Sequence, residues 1–166
     1  MTKRRSSVLA VALATLVLAP AAAWANGDPR DSAWGLGTAT SPGITKYFEF
    51  AAVQTNPATL AARGEAVLIQ NDTTGLYGNF ALAGRVVCLD VVGNYATIGL
   101  IIGRGNGTAA GHAGEAFYVF VQDNSVLHIH DRLDNSGYTG TSVADCSIVG
   151  GLGQEVTKGN IVVDDD

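Results

Sequence analysis

The chain has 166 residues, of which 21 are glycine, four proline and two cysteine, with ten basic against fifteen acidic side chains. No clustered Lys or Arg stands beyond its first few residues, which speaks against nucleic acid or an anionic lipid surface as partner, because both attract basic patches. The length suits one domain with a core large enough to fold without staples.

Lys3, Arg4 and Arg5 precede an apolar run from Val8 to Ala19, and Ala23-Trp24-Ala25 supplies small residues before the polar Asn26-Gly27-Asp28. This is the pattern of a secretory signal peptide. Even extended to Trp24, the apolar run falls short of the roughly 20 residues that cross a bilayer comfortably. Residues 1–25 are therefore expected to be cleaved, which predicts a secreted, extracellular protein with no membrane attachment after cleavage. Cleavage would leave seven basic against fifteen acidic side chains, a net charge of −8.

Residues 26–44 are polar and rich in Gly, Ser and Thr, with Pro29 and Pro42 among them. Such a composition buries too little to order itself, so a flexible N-terminal arm is expected ahead of one domain over residues 45–166. From Thr45 onward, short β-branched and aromatic runs alternate with Gly, Asn and Asp clusters, and no stretch keeps a helical period. Strands are expected over residues 46–52, 65–71, 79–83, 85–92, 95–102, 115–123, 126–131, 147–149 and 160–163, with one short helical turn in 57–62. The clearest unit is a hairpin turning at Gly93-Asn94, residues that tolerate the positive φ of a primed turn. On its first strand, alternation puts Val87, Leu89 and Val91 on one face and Val86, Cys88, Asp90 and Val92 on the other. Its second strand presents a continuous stripe of Ala96, Ile98, Leu100 and Ile102. The predicted class is all-β, a single small antiparallel β-barrel, with a β-sandwich as the alternative. Closure favours the barrel because it removes exposed strand edges.

Cys88 and Cys146 make an even pair in a chain with a secretory leader, and are expected to form a disulfide. Neither sits in a Cys-x-x-Cys motif. The bridge would close a loop of roughly 60 residues and stabilise by about 4 kcal/mol in the chain-entropy model.

His128 and His130 stand two apart in Val126-Leu-His-Ile-His-Asp131, so on a strand both imidazoles would point the same way and could share a metal with Asp131. Zinc sites usually take three or four protein ligands, and a further one would come from Asp134, His112 or Asp123. Asp131 to Gly137 lacks the ligand spacing and closing Glu of a calcium loop, and reads as an Asx-rich turn. Gly103-Arg-Gly-Asn-Gly107 follows a strand but opens no helix, so it lacks the dipole of a phosphate-binding loop. Asn71 and Asn106 begin glycosylation sequons. Ser125, His128 and Asp131 lie too close on one extended segment to converge as a triad, and Glu49, Glu65 and Glu115 fall on separate strands. No catalytic residue, cofactor or cofactor-binding residue is assigned.

The segments Gly84-Arg-Val-Val-Cys88-Leu-Asp-Val-Val-Gly93-Asn, Asp145-Cys146 and Gly159-Asn-Ile-Val-Val163 resemble those of a group of small secreted bacterial proteins of uncharacterised function. The resemblance spans most of residues 45–163 and supports the Cys88–Cys146 bridge. It implies no activity. The stretch from Ser125 to His130 departs from that group's Gly/Pro-rich segment. The function expected is a non-catalytic binding module for a small apolar molecule or an extracellular protein partner. The alternatives are a hydrolase or metal-binding protein using His128, His130 and Asp131, and a structural or surface-interaction protein with no ligand pocket.

Overall fold

The computed structural model describes residues 30–165 apart from 143, 149 and 152; the expected signal peptide lies outside the described residues. Eight antiparallel strands close into one barrel in sequence order: β1 (Ser32–Ser41), β2 (Ile44–Asn56), β3 (Ala61–Asp72), β4 (Phe80–Val92), β5 (Tyr95–Gly107), β6 (Ala116–Gln122), β7 (Arg132–Asn135) and β8 (Gln154–Asp164). Closure is made by β1, which pairs with β2 from Ser32↔Val53 to Ser41↔Ile44 and with β8 from Ser32↔Asp164 to Thr40↔Glu155. The barrel and the Cys88–Cys146 disulfide are those expected.

The strand register explains what fills the interior. Lys46, Phe48, Phe50, Ala52 and Gln54 alternate inward on β2. Ala66, Leu68, Gln70 and Asp72 do so on β3, and Ala96, Ile98, Leu100 and Ile102 on β5. An eight-stranded barrel has an interior just wide enough for side chains to fill, and here the middle is packed with apolar groups, including Phe48 and Phe50 with ring centroids 5.9 Å apart. Each fully buried Leu, Ile or Phe contributes roughly 1.5–3 kcal/mol, so this middle layer dominates stability. Polar side chains are buried near the two ends of the barrel: Lys46, Gln70 and Asp72 at one, and Gln54, Asn124 and Asp131 at the other.

Four sequence expectations are corrected. Ser32–Ser41 is not a flexible arm but β1. Its composition concealed a strand because its inward positions are small: Ala33, Gly35 and Ala39 are buried beside β2. A Cβ on Gly35 would come within 2.8 Å of the Phe50 ring, so the aromatic ring occupies the space that a larger β1 side chain would need. Residues 126–131 are not a strand; Ser125–Leu127 is a short 3-10 turn closed by His128 with φ 55°. The cause is a polar clamp in which Asn124 N donates to Asp131 Oδ1 at 2.9 Å and Asn124 Nδ2 to His130 O at 2.9 Å, drawing the ends of the segment together. Arg132–Asn135, read as a turn, pairs with β6 as β7. Ser147 and Ile148 lie in a connection and not in a strand, while residue 149 is outside the described residues. The short helical turn is present at Pro57–Thr59.

The β4–β5 hairpin turns at Gly93-Asn94, but only Gly93 takes positive φ, at 60°, as a turn with Gly in its first central position requires. A register shift between Val86 and Cys88 breaks the simple alternation on β4. Val86 is therefore buried in the core ahead of the shift and Leu89 and Val91 after it.

Cys88 meets Cys146 across a Cα separation of 5.9 Å. The bridge ties the long β7–β8 connection, residues 136–153, against β4–β6. Two hydrogen bonds reinforce it: Asp145 N donates to Tyr118 Oη at 2.7 Å and Thr97 Oγ1 to Ile148 O at 3.0 Å. Gly99, the register partner of Cys88, leaves room for the sulfurs, since a Cβ there would lie 2.9 Å from Cys146 Sγ and closer still to Cys88 Sγ.

Two outcomes follow from this strap. Cys88→Ser/Cys146→Ser should keep the barrel's far-ultraviolet spectrum while losing about 4 kcal/mol in urea unfolding; a loss under about 1 kcal/mol would show that the strap is held by its hydrogen bonds instead. Gly99→Val should leave two titratable thiols in denatured, unreduced protein, and none if the bridge forms regardless.

Candidate functional site

One end of the barrel carries the connections 42–43, 73–79, 108–115 and 136–153, and its mouth is where polar chemistry and open space meet. A cavity of about 430 Å³ opens there between Phe80, Phe117 and Tyr138 on one side and Lys46, Gln70, Asp134, Asn135 and Gln154 on the other.

Lys46 is placed by alternation. It follows the inward phase of Phe48 and Phe50 and lies between Ala39 on β1 and Gln70 on β3, which leaves its residue only 4 % exposed. Its ammonium contacts Asp134 Oδ1 at 3.4 Å. That carboxylate is about one-third exposed, so the pair joins a buried cation to a partly hydrated anion. Burial pulls the Lys46 pKa below the usual lysine value, against the raising effect of Asp134. Taking an ammonium out of water costs several kcal/mol, and a single long contact offsets that incompletely.

The polar wall has unused acceptors. Asn135 Nδ2 donates to Ser136 O at 2.8 Å and Gln154 Nε2 to Ser41 Oγ at 2.9 Å, while Asn135 Oδ1 and Gln154 Oε1 are buried without a hydrogen-bond partner among the described residues. Both residues sit where pairing stops: β7 and β8 register only at Arg132↔Glu155 and Leu133↔Gln154, so Asp134 and Asn135 pair with β6 alone. The opposite wall is aromatic, with Tyr138 at centroid distances of 5.8 Å from Phe117 and 6.5 Å from Phe80, and Phe80 at 6.1 Å from Phe117. His112 stacks on Tyr138 at 4.0 Å and its Nδ1 lies 3.1 Å from Glu115 Oε1. That contact, first, holds the Glu115 pKa below the ordinary range.

Asp72 builds the rim. Its Oδ1 accepts from Thr74 N, Thr74 Oγ1 and Gly75 N at 2.7, 2.5 and 3.1 Å, and its Oδ2 from Tyr77 N and Gly78 N at 2.7 and 2.9 Å. The β3–β4 loop is thus folded around one carboxylate and presents Tyr77 to the cavity. The Thr74 hydroxyl above all, with the backbone amides, holds the Asp72 pKa well below the usual carboxylate range. A carboxylate that satisfies several donors is ionised and structural.

The residues singled out by sequence lie at the other end. His128 and His130 are exposed on the β6–β7 connection, and the two Asp131 oxygens accept from Asn124 N and Ile161 N, both at 2.9 Å. Asp131 therefore joins that connection to β8. Among the described residues, no group of three His, Cys, Asp or Glu is placed to hold a metal ion. A hollow of about 680 Å³ beside His128 and His130 is lined by the exposed loop residues Leu127 to His130, by Asn124, and by Tyr95, Gln122, Arg132 and Glu155 from four strands. Its one deeply buried polar residue, Asn124, has its amide nitrogen bonded to His130 O and its oxygen accepting from Asn94 Nδ2 at 3.3 Å. Sequence reasoning passed over Lys46, although its place two before Phe48 in an alternating run was the available signal.

Replacing a buried ion pair by apolar residues is often neutral or stabilising by about 1–4 kcal/mol. Lys46→Met/Asp134→Leu should accordingly be at least as stable as the parent in urea unfolding, and more stable than Lys46→Met alone. A double variant several kcal/mol below the parent would make the pair a structural element. For Asp72, the folded-state pKa lies below the unfolded one, so its stabilisation is in place above the ordinary aspartate value near pH 4 and is lost as pH falls through the folded-state value. Asp72→Asn should be less stable than the parent at pH 7 and show a flatter decline in chemical denaturation from pH 5 to pH 2; parallel profiles would contradict this.

Comparison with known protein families, with curated proteins and with solved structures yields no match for this chain.

Proposed function

We propose that this protein is a non-catalytic binding module that takes a small neutral molecule with an apolar or aromatic body into the barrel mouth beside Lys46. The observation that carries the reading is the buried ammonium, with one contact at 3.4 Å, lining a 430 Å³ cavity together with two residues whose carbonyl oxygens lack partners. Ligand sites are commonly apolar clefts with a few placed polar groups, and the mouths of β-barrels are a frequent position for them. Unsatisfied buried polar groups cost about 1–3 kcal/mol each, and a bound hydroxyl or amide that met them would recover part of that cost.

Charge selects the ligand class. Lys46 and Asp134 already neutralise one another, and the remaining free groups are acceptors. A carboxylate or phosphate would face Asp134, Asn135 Oδ1 and Gln154 Oε1, whereas a neutral hydroxylated aromatic compound can donate to the oxygens, accept from Lys46 and stack against Phe80, Phe117 and Tyr138.

Export is part of the proposal. The N-terminal pattern of residues 1–25 and a disulfide between the two cysteines both favour an oxidising, extracellular setting.

The test is a titration of isotopically labelled protein with 4-hydroxybenzyl alcohol, followed by amide chemical shifts. Shifts should concentrate at residues 46, 70, 77, 134–138 and 154, and Tyr138→Ala should weaken binding by about tenfold, in keeping with the loss of an aromatic contact. Shifts confined to residues 122–130, or none at saturating probe, would overturn the reading.

A further inference from the structure

We infer that the Lys46 amine captures neutral aromatic aldehydes or ketones in the barrel mouth as a reversible imine, an inference that rests on the binding role proposed for the same cavity. A buried lysine can be a nucleophile where an apolar setting favours its free amine and a base stands within reach. Desolvation takes the place of an apolar lining here: Lys46 is 4 % exposed on the inner face of β2, where burial favours the uncharged amine, and its nitrogen lies 3.4 Å from Asp134 Oδ1. Phe80, Phe117 and Tyr138 form the wall against which a flat body would lie, and the cavity of about 430 Å³ admits a one-ring compound.

The chemistry needs no further reactant. The ammonium gives one proton to the Asp134 carboxylate, and the freed lone pair attacks the carbonyl carbon to form a C–N bond. A second proton passes from nitrogen to the former carbonyl oxygen, giving a neutral carbinolamine. The C–O bond then breaks and the oxygen leaves as water, taking back the proton held by Asp134. The product is a protonated imine beside the Asp134 carboxylate, so the ion pair present before capture is re-formed after it. No electron is gained or lost.

The chain contains three lysines, Lys3, Lys46 and Lys158. Lys158 is exposed on β8 and provides an internal comparison. The full chain is treated with 4-hydroxybenzaldehyde and sodium cyanoborohydride, whose hydride fixes the imine as a secondary amine, and labelled peptides are quantified by mass spectrometry. Lys46 should be labelled at least about tenfold faster than Lys158, as expected for an activated buried amine, and excess 4-hydroxybenzyl alcohol should suppress labelling at Lys46 alone. Lys46→Arg keeps a positive charge without an imine-forming amine, so it should abolish the fast phase while Lys158 labels as before. Labelling of Lys46 no faster than that of Lys158, with the alcohol still shifting the mouth amides, would overturn the imine and leave the binding role standing. If the alcohol also fails to shift them, both fall.

Discussion

Closure of the sheet between β1 and β8 is the constraint on which the rest of the structure depends. A closed barrel gives every strand one face that must be buried, and side-chain alternation then decides which residues occupy it. Phe48, Phe50 and Ala52 are carried into the core for that reason, and so is Lys46, which shares their phase on β2. An open sheet could leave a lysine near a strand end in water. In the barrel the same position is 4 % exposed, and the ammonium is matched by Asp134 from β7 at 3.4 Å.

The two ends of the barrel solve different problems with the same residue types. At the end where β1 begins and β8 finishes, Asp131, Asn124 and Asn94 bond to one another or to backbone, and Gln54 Nε2 reaches Leu89 O at 3.2 Å. Those groups stitch connections to strands and are used up in doing so. At the other end Asp72 is used up in the same way, folding the β3–β4 loop. Lys46, Asn135 and Gln154 differ, because pairing between β7 and β8 ends at Leu133↔Gln154 and leaves their polar groups beside open space. The disulfide-tied strap begins there, so the seam with the shortest run of strand pairing lies next to the cavity.

How much of this was legible in the sequence depends on where the physical cause lies. The hairpin at Gly93-Asn94, the stripe from Ala96 to Ile102 and the cysteine pair are local or compositional signals, and each is found in the fold. The strand β1 was hidden because its inward residues Ala33, Gly35 and Ala39 are small, and at Gly35 the reason, the Phe50 ring, lies on another strand. The histidine segment was misread because its shape is set by the Asn124–Asp131 clamp and by Ile161 N from β8, a contact 30 residues away. The register shift at Val86/Cys88 likewise reverses a face assignment that alternation alone would make. The candidate site was the least legible part, since Lys46 and Asp134 are 88 residues apart and only closure brings them together.

The measurement that bears most directly on this account follows the Lys46 side chain itself. With lysine labelled at its terminal carbon, the chain yields three resonances, which single substitutions assign. The account predicts that the Lys46 signal titrates below the usual lysine range and moves when 4-hydroxybenzyl alcohol is added at neutral pH. A Lys46 signal that titrates as an ordinary solvent-exposed lysine, unmoved by the alcohol, would contradict both the burial of the amine and its place in a ligand site.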